Sequence, residues 1–130
     1  MNSVRRFVIK SRSMITLPTW GGKSEFQYSG SVKQGTQISW KDKAKPGGFS
    51  RPLFVSPAQY QSLRSTFSGK EVPLGNYRDP AQGTLEAWLK KQPDQWGVGL
   101  ARHLGKILVV ERYAEPSSRR GRILINPINS

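Results

Sequence analysis

Between Ser24 and Lys41 the chain alternates with a strict period of two. Phe26, Tyr28, Val32, Ile38 and Trp40 occupy even positions, while Glu25, Gln27, Ser29, Ser31, Gln37, Ser39 and Lys41 occupy odd ones. Successive side chains on a strand point to opposite faces, so this stretch reads as two strands, Ser24–Val32 and Thr36–Lys41, with one apolar face and one wet face. Lys33-Gln34-Gly35 supplies the tight turn between them. Two strands alone are marginal in water, so the apolar face requires further strands or a helix to cover it. Val4–Lys10 and Met14–Leu17, the latter stopped by Pro18, read as strands before this pair, and Arg51–Val55 as a short strand after it.

The middle of the chain changes period. Ser56 is placed as an N-cap with Pro57 at the first helical position, and Tyr60, Leu63 and Phe67 recur at helical spacing until Gly69. After a turn-rich stretch, Val72–Gln82, a second helix is expected over Thr84–Gln92, with Leu85, Trp88 and Leu89 on one face and Pro93 as its stop. A third is expected from an Asp94 cap through Trp96, Leu100 and Leu104 to Gly105. Ile107–Tyr113 and Arg122–Ile125 then read as two β-rich runs around the basic connection Ala114–Gly121. The fold class is α+β and β-leaning: a small twisted antiparallel sheet or partly open barrel, a two- to three-helix excursion, and a C-terminal β-hairpin. At 130 residues the chain is expected to be a single domain, with a basic β-rich half (1–55), a helical segment (56–105) and the hairpin (106–130).

Charge narrows the choice of partner. The chain has 21 Lys and Arg against 8 Asp and Glu, a net charge of +13. Residues 1–55 hold ten basic and two acidic residues, residues 56–105 six and four, residues 106–130 five and two. An excess of this size costs self-repulsion in the compact state, and binding a polyanion relieves it; the plain alternative is charge kept for solubility. The absence of cysteine excludes disulfides, a thiolate nucleophile and cysteine-based zinc sites, and the single histidine, His103, excludes multi-histidine metal sites. No apolar run approaches the ~20 residues that span a bilayer. The opening MNSVRRFVIKSRSM has too short an apolar stretch for a secretory signal, so a cytoplasmic location is expected.

Several motifs invite chemistry and each has a structural explanation. Gly22-Lys23-Ser24 resembles the end of a phosphate-binding loop, but that motif needs glycine at position 17, where this chain has Leu. Asp94 followed by Val109-Val110-Glu111 resembles part of the restriction-nuclease pattern, yet position 113 is Tyr instead of the required Lys. Helix capping by Asp94 and pairing of Glu111 with Arg112 explain these acids without catalysis, and no convergent carboxylate pair for a metal ion is evident. His103 has no nucleophile in an evident constellation with it.

The order in Leu85–Ile125, two short helices and then a hairpin with an arginine-rich tip, resembles that of winged-helix DNA-binding domains. In that arrangement the second helix enters the major groove and the hairpin lies on phosphates or in the minor groove. Gln95, Arg102 and His103 are the residues able to reach base edges. The competing explanation is a helical pair that plugs one end of the sheet. In the first half, basic residues interleave with aromatics as in single-strand binders, and Trp20 and Phe49, beside glycine pairs, are the rings least committed to a core.

The expectation is a non-catalytic protein without cofactor or metal, meeting DNA or RNA mainly at phosphates. The contacting groups are Arg5, Arg6, Lys10, Arg12, Lys23, Lys41, Lys43, Lys45, Arg51, Arg102, Arg119, Arg120 and Arg122. Such a chain would suit an accessory subunit of a nucleoprotein assembly in a phage, mobile element or defence system, with protein subunits as further partners and no membrane. The alternatives are a basic module or inhibitor that binds an acidic protein surface, and a small coat or scaffold subunit.

Overall fold

The computed structural model describes residues 14–20, 24–41, 48, 50, 52–75, 81–92 and 100–128. The expected strand Val4–Lys10 and the expected cap Asp94 lie outside them. The chain divides into two compact units, residues 1–60 and 61–130. The described residues form two open antiparallel sheets and three helices, so the architecture is α+β with a C-terminal hairpin.

The first unit is built on the alternating segment. Strands β1 (Ile15–Pro18), β2 (Glu25–Ser31), β3 (Gly35–Trp40) and β4 (Leu53–Val55) form one sheet in that order. Phe26 pairs with Trp40, Tyr28 with Ile38, and Gly30 with Thr36. Phe26, Tyr28, Val32 and Ile38 are buried as the alternation requires, while Trp40 is half-buried. On the opposite face Gln37 and Lys41 are exposed, but Ser39 is buried. The turn at Val32–Gln34 delivers the chain to Gly35 at φ 96, a left-handed conformation that favours glycine. A Cβ at Gly35 would also lie 2.6 Å from Phe54 Cζ and 3.1 Å from the Val55 carbonyl oxygen, so a side chain there would have to displace the ring. The first turn of helix α1 (Pro57–Thr66) belongs to this unit. Ser56 and Gln59 form a reciprocal capping box: the Ser56 amide donates to Gln59 Oε1 at 2.8 Å and the Gln59 amide to Ser56 Oγ at 3.1 Å. Tyr60 and Thr36 share a buried hydroxyl hydrogen bond of 2.7 Å that fastens α1 to β3. Leaving either hydroxyl unsatisfied would cost ~1–3 kcal/mol.

The second unit holds the remainder of α1, strand β5 (Glu71–Pro73), helices α2 (Leu85–Lys90) and α3 (Leu100–Val110), and strands β6 (Ala114–Pro116) and β7 (Arg122–Ile125). Its sheet has the order β5-β7-β6, and its core contains Leu63, Val72, Leu85, Leu89, Leu100, Leu104, Ile107, Leu108, Ile123 and Ile125. Phe67 and Trp88 meet edge to face at 5.7 Å. The Arg64 guanidinium lies 4.3 Å from the Tyr113 ring centroid.

Here the structure corrects the expectation for residues 105–113. Gly105 does not end the third helix; it is buried inside α3, which continues to Val110 through residues expected to be a strand. Leu100, Ala101, Leu104, Ile107 and Leu108 sit at helical spacing and all are buried. A buried leucine or isoleucine contributes ~1.5–3 kcal/mol, whereas a helical glycine costs at most ~1 kcal/mol, so burial wins. The helix stops at a Schellman cap: the Tyr113 amide donates to the Leu108 carbonyl at 2.8 Å and the Arg112 amide to the Val109 carbonyl at 3.1 Å. The left-handed residue of this cap is Arg112, at φ 68, rather than glycine. Asn126 Nδ2 donates to the Arg112 carbonyl at 2.9 Å, tying the cap to the chain beyond β7.

Arg112→Gly removes the left-handed strain while keeping both cap hydrogen bonds. After the extra freedom of glycine in the unfolded chain is subtracted, a gain of about 0.5–1 kcal/mol is expected. Denaturant unfolding should show a higher midpoint at unchanged slope; a lower midpoint would mean that the arginine side chain holds the cap.

Candidate nucleic-acid interface

The hairpin register sets the site. Ala114 pairs with Ile125, Glu115 with Leu124 and Pro116 with Ile123, while across β7 Glu71 pairs with Leu124 and Pro73 with Arg122. Alternation buries Val72, Ala114, Ile123 and Ile125, and turns Glu71, Glu115, Arg122 and Leu124 to the opposite face. The five residues Ser117–Gly121 form the tip. The Ser117 amide donates to the Arg122 carbonyl at 3.2 Å, and the Leu74 amide to the Gly121 carbonyl at 2.9 Å, so the base of the tip is tied to both neighbouring strands.

One carboxylate orders this tip. The Ser117 hydroxyl donates to Glu71 Oε2 and itself accepts the Arg119 amide at 3.0 Å. Arg119 Nη1 and Arg122 Nη1 lie 3.5 and 3.6 Å from Glu71 Oε1. The Ser117 hydrogen bond, with the Arg119 and Arg122 charges behind it, holds the Glu71 carboxyl below its ordinary value, against the opposing effect of desolvation. Exposed ion pairs contribute little to stability individually, so the consequence is chiefly geometric: two arginines are held at the tip while Arg120, beside them, is exposed and has no ion pair among the described residues.

Helix α3 presents a second basic group. Arg102 is exposed and has no ion pair among the described residues; His103 and Lys106 are partly buried on the same side. The amide of Ala101, in the first turn of α3, donates to Glu86 Oε1 at 3.2 Å. Glu86 is only 1% exposed, and sequence reasoning missed it. Gly75 makes room nearby, since a Cβ there would fall 2.7 Å from Thr84 Oγ1 and 3.2 Å from Glu86 Cβ.

Of the other residues expected to meet a polyanion, Lys41 stands exposed at the end of β3, 3.7 Å from Glu25 Oε1. Arg5, Arg6, Lys10, Arg12, Lys23, Lys43, Lys45 and Arg51 lie outside the described residues, as do Gln95 and Phe49. The structure therefore brings Arg119, Arg120 and Arg122 together at one tip and sets Arg102 on a helix face of the same unit. Trp20 is half-buried; the exposed ring among the described aromatics is Phe54, which the sequence pattern did not single out. Glu111 follows the end of α3 and is not on a strand, which removes the strand-borne acid of the nuclease pattern. Comparison with known protein families, curated proteins and solved structures finds no match to this chain.

The lowered pKa of Glu71 gives a pH signature. A carboxyl whose folded pKa lies below its unfolded value stabilises the fold above that unfolded value, near 4.5, and the contribution is lost as pH falls through the depressed folded value. The wild type should therefore melt at a higher temperature than Glu71→Gln at neutral pH, with the gap closing on acidification below pH 4.5. A gap independent of pH would show that the ionised carboxylate does not order the tip.

Proposed function

We propose that this protein binds nucleic acid without cleaving it, gripping phosphates through the hairpin tip and the exposed side of α3. The observation that carries this reading is the order of elements in the second unit: helix, strand, helix, helix, strand, strand, with the sheet order β5-β7-β6 and arginines at the hairpin tip. That order resembles a winged-helix domain, with α3 in the place of the helix that enters the major groove and Ser117–Gly121 as the wing. The resemblance is one of arrangement, so the function is argued from the side chains. Arg102 and Lys106 lie one helical turn apart and can follow a phosphate row or a groove edge, and the tip arginines can meet the adjacent backbone. A net charge of +13 supplies the long-range attraction.

Arg119 and Arg122 neutralise Glu71, so removing them would also expose a carboxylate. Arg102 and Arg120 are the cleaner probes. Replacing both with Ala should leave stability nearly unchanged and weaken duplex binding about equally on every sequence. It should also flatten the log–log salt dependence by roughly two units, at ~0.9 per lost phosphate contact. The duplex should stay intact with Mg²⁺ or Mn²⁺ present. An unchanged affinity and slope would sink the proposed interface and redirect the search to an acidic protein partner.

A further inference from the structure

We infer that the outer face of the four-stranded sheet is a second binding surface, one that stacks unpaired bases of a single-stranded nucleic acid on Phe54. This shares the polyanionic partner of the function proposed above, but it rests on different residues in the other unit.

The register places Phe54, Gln37 and Ser29 in one row across β4, β3 and β2. Gln27 and Thr16 continue the face on β2 and β1, and the Lys41–Glu25 pair marks its end. Apart from Phe54 and Pro18 at the end of β1, the exposed or half-exposed side chains of this face are hydroxyls, amides and that one ion pair. Phe54 is 51% exposed. Its ring edge occupies the space over Gly35 where a side chain would otherwise stand, so glycine on β3 lets the ring lie across the sheet.

A half-exposed ring on the sheet, opposite Gln37 and with Ser29 next in its row, offers a stacking platform with neighbouring donors and acceptors for base edges or sugar hydroxyls. Charge selects the occupant. In sequence, residues 1–55 carry ten basic and two acidic side chains, Lys33 and Lys41 being the basic ones among the described residues, and that balance favours a polyanion over a neutral glycan or an ordinary peptide. Stacking on aromatics requires bases free of a duplex, which separates this surface from the phosphate grip of the hairpin tip.

The test compares a labelled oligothymidylate of about twelve nucleotides with an abasic strand of equal length and charge, using fluorescence anisotropy. The wild type should bind the thymidylate more tightly. Phe54→Ala and Phe54→Leu should each weaken thymidylate binding roughly 5- to 150-fold, leave abasic-strand binding unchanged and keep the wild-type circular dichroism, while Phe54→Trp should retain affinity. The leucine variant keeps an apolar group over Gly35, so a loss shared by both variants belongs to the ring. Equal binding of the two strands by the wild type, undiminished binding by Phe54→Leu, or a Phe54-dependent self-association in place of strand binding would overturn the inference. Duplex binding and its dependence on Arg102 and Arg120 report separately on the hairpin interface, so either site can fail alone.

Discussion

Carboxylates are the scarce partners in this protein. The 21 basic side chains outnumber the 8 acidic ones by more than two to one, and the position of each acid decides what the surplus can do. Glu71 collects Ser117, Arg119 and Arg122 and so orders the hairpin tip. Glu86 is buried and accepts an amide of the first turn of α3, which connects α2 to the helix that bears Arg102 and Lys106. Glu25 meets Lys41 at the end of the four-stranded sheet. These acids hold structural joints, while Arg102 and Arg120, which have no ion pair among the described residues, are turned to solvent.

The joints explain how a short three-stranded sheet can present a defined tip. Five residues of hairpin loop are anchored at Ser117 and Gly121 on one side and by the Glu71 carboxylate on the other. The helix behind the hairpin ends in a cap whose carbonyl is held by Asn126, just beyond β7. The basic loop is thereby tied at its base to packed elements, which reduces the ordering cost of meeting a ligand.

Sequence reasoning reached the elements whose signal is local. The alternation from Phe26 to Trp40, the turn at Gly35 and the Ser56-Pro57 helix start are each written in neighbouring residues, and each is present. It failed at Gly105, where a local breaker was outweighed by burial of Ile107 and Leu108 that becomes apparent only when the unit is packed. A Schellman cap with arginine in the left-handed position gave no glycine signal to mark the true helix end. The tip arginines were legible as a cluster, but their carboxylate was not, because Glu71 lies 48 residues before Arg119 in sequence. Phe54 escaped for a related reason: in a three-residue strand, Leu-Phe-Val shows no alternation, and its exposure follows from pairing with Gln37.

The central claim is that cations of the second unit, Arg102 and Arg120 foremost, meet nucleic-acid phosphates at the hairpin tip and on α3. The most direct measurement is an amide chemical-shift titration of the isotopically labelled protein with a short duplex, at low salt and again at high salt. The account predicts shifts concentrated at Ser117–Arg122 and Arg102–Lys106 that fade together as salt rises. Shifts absent from both segments at low salt, or undiminished by salt, would contradict it.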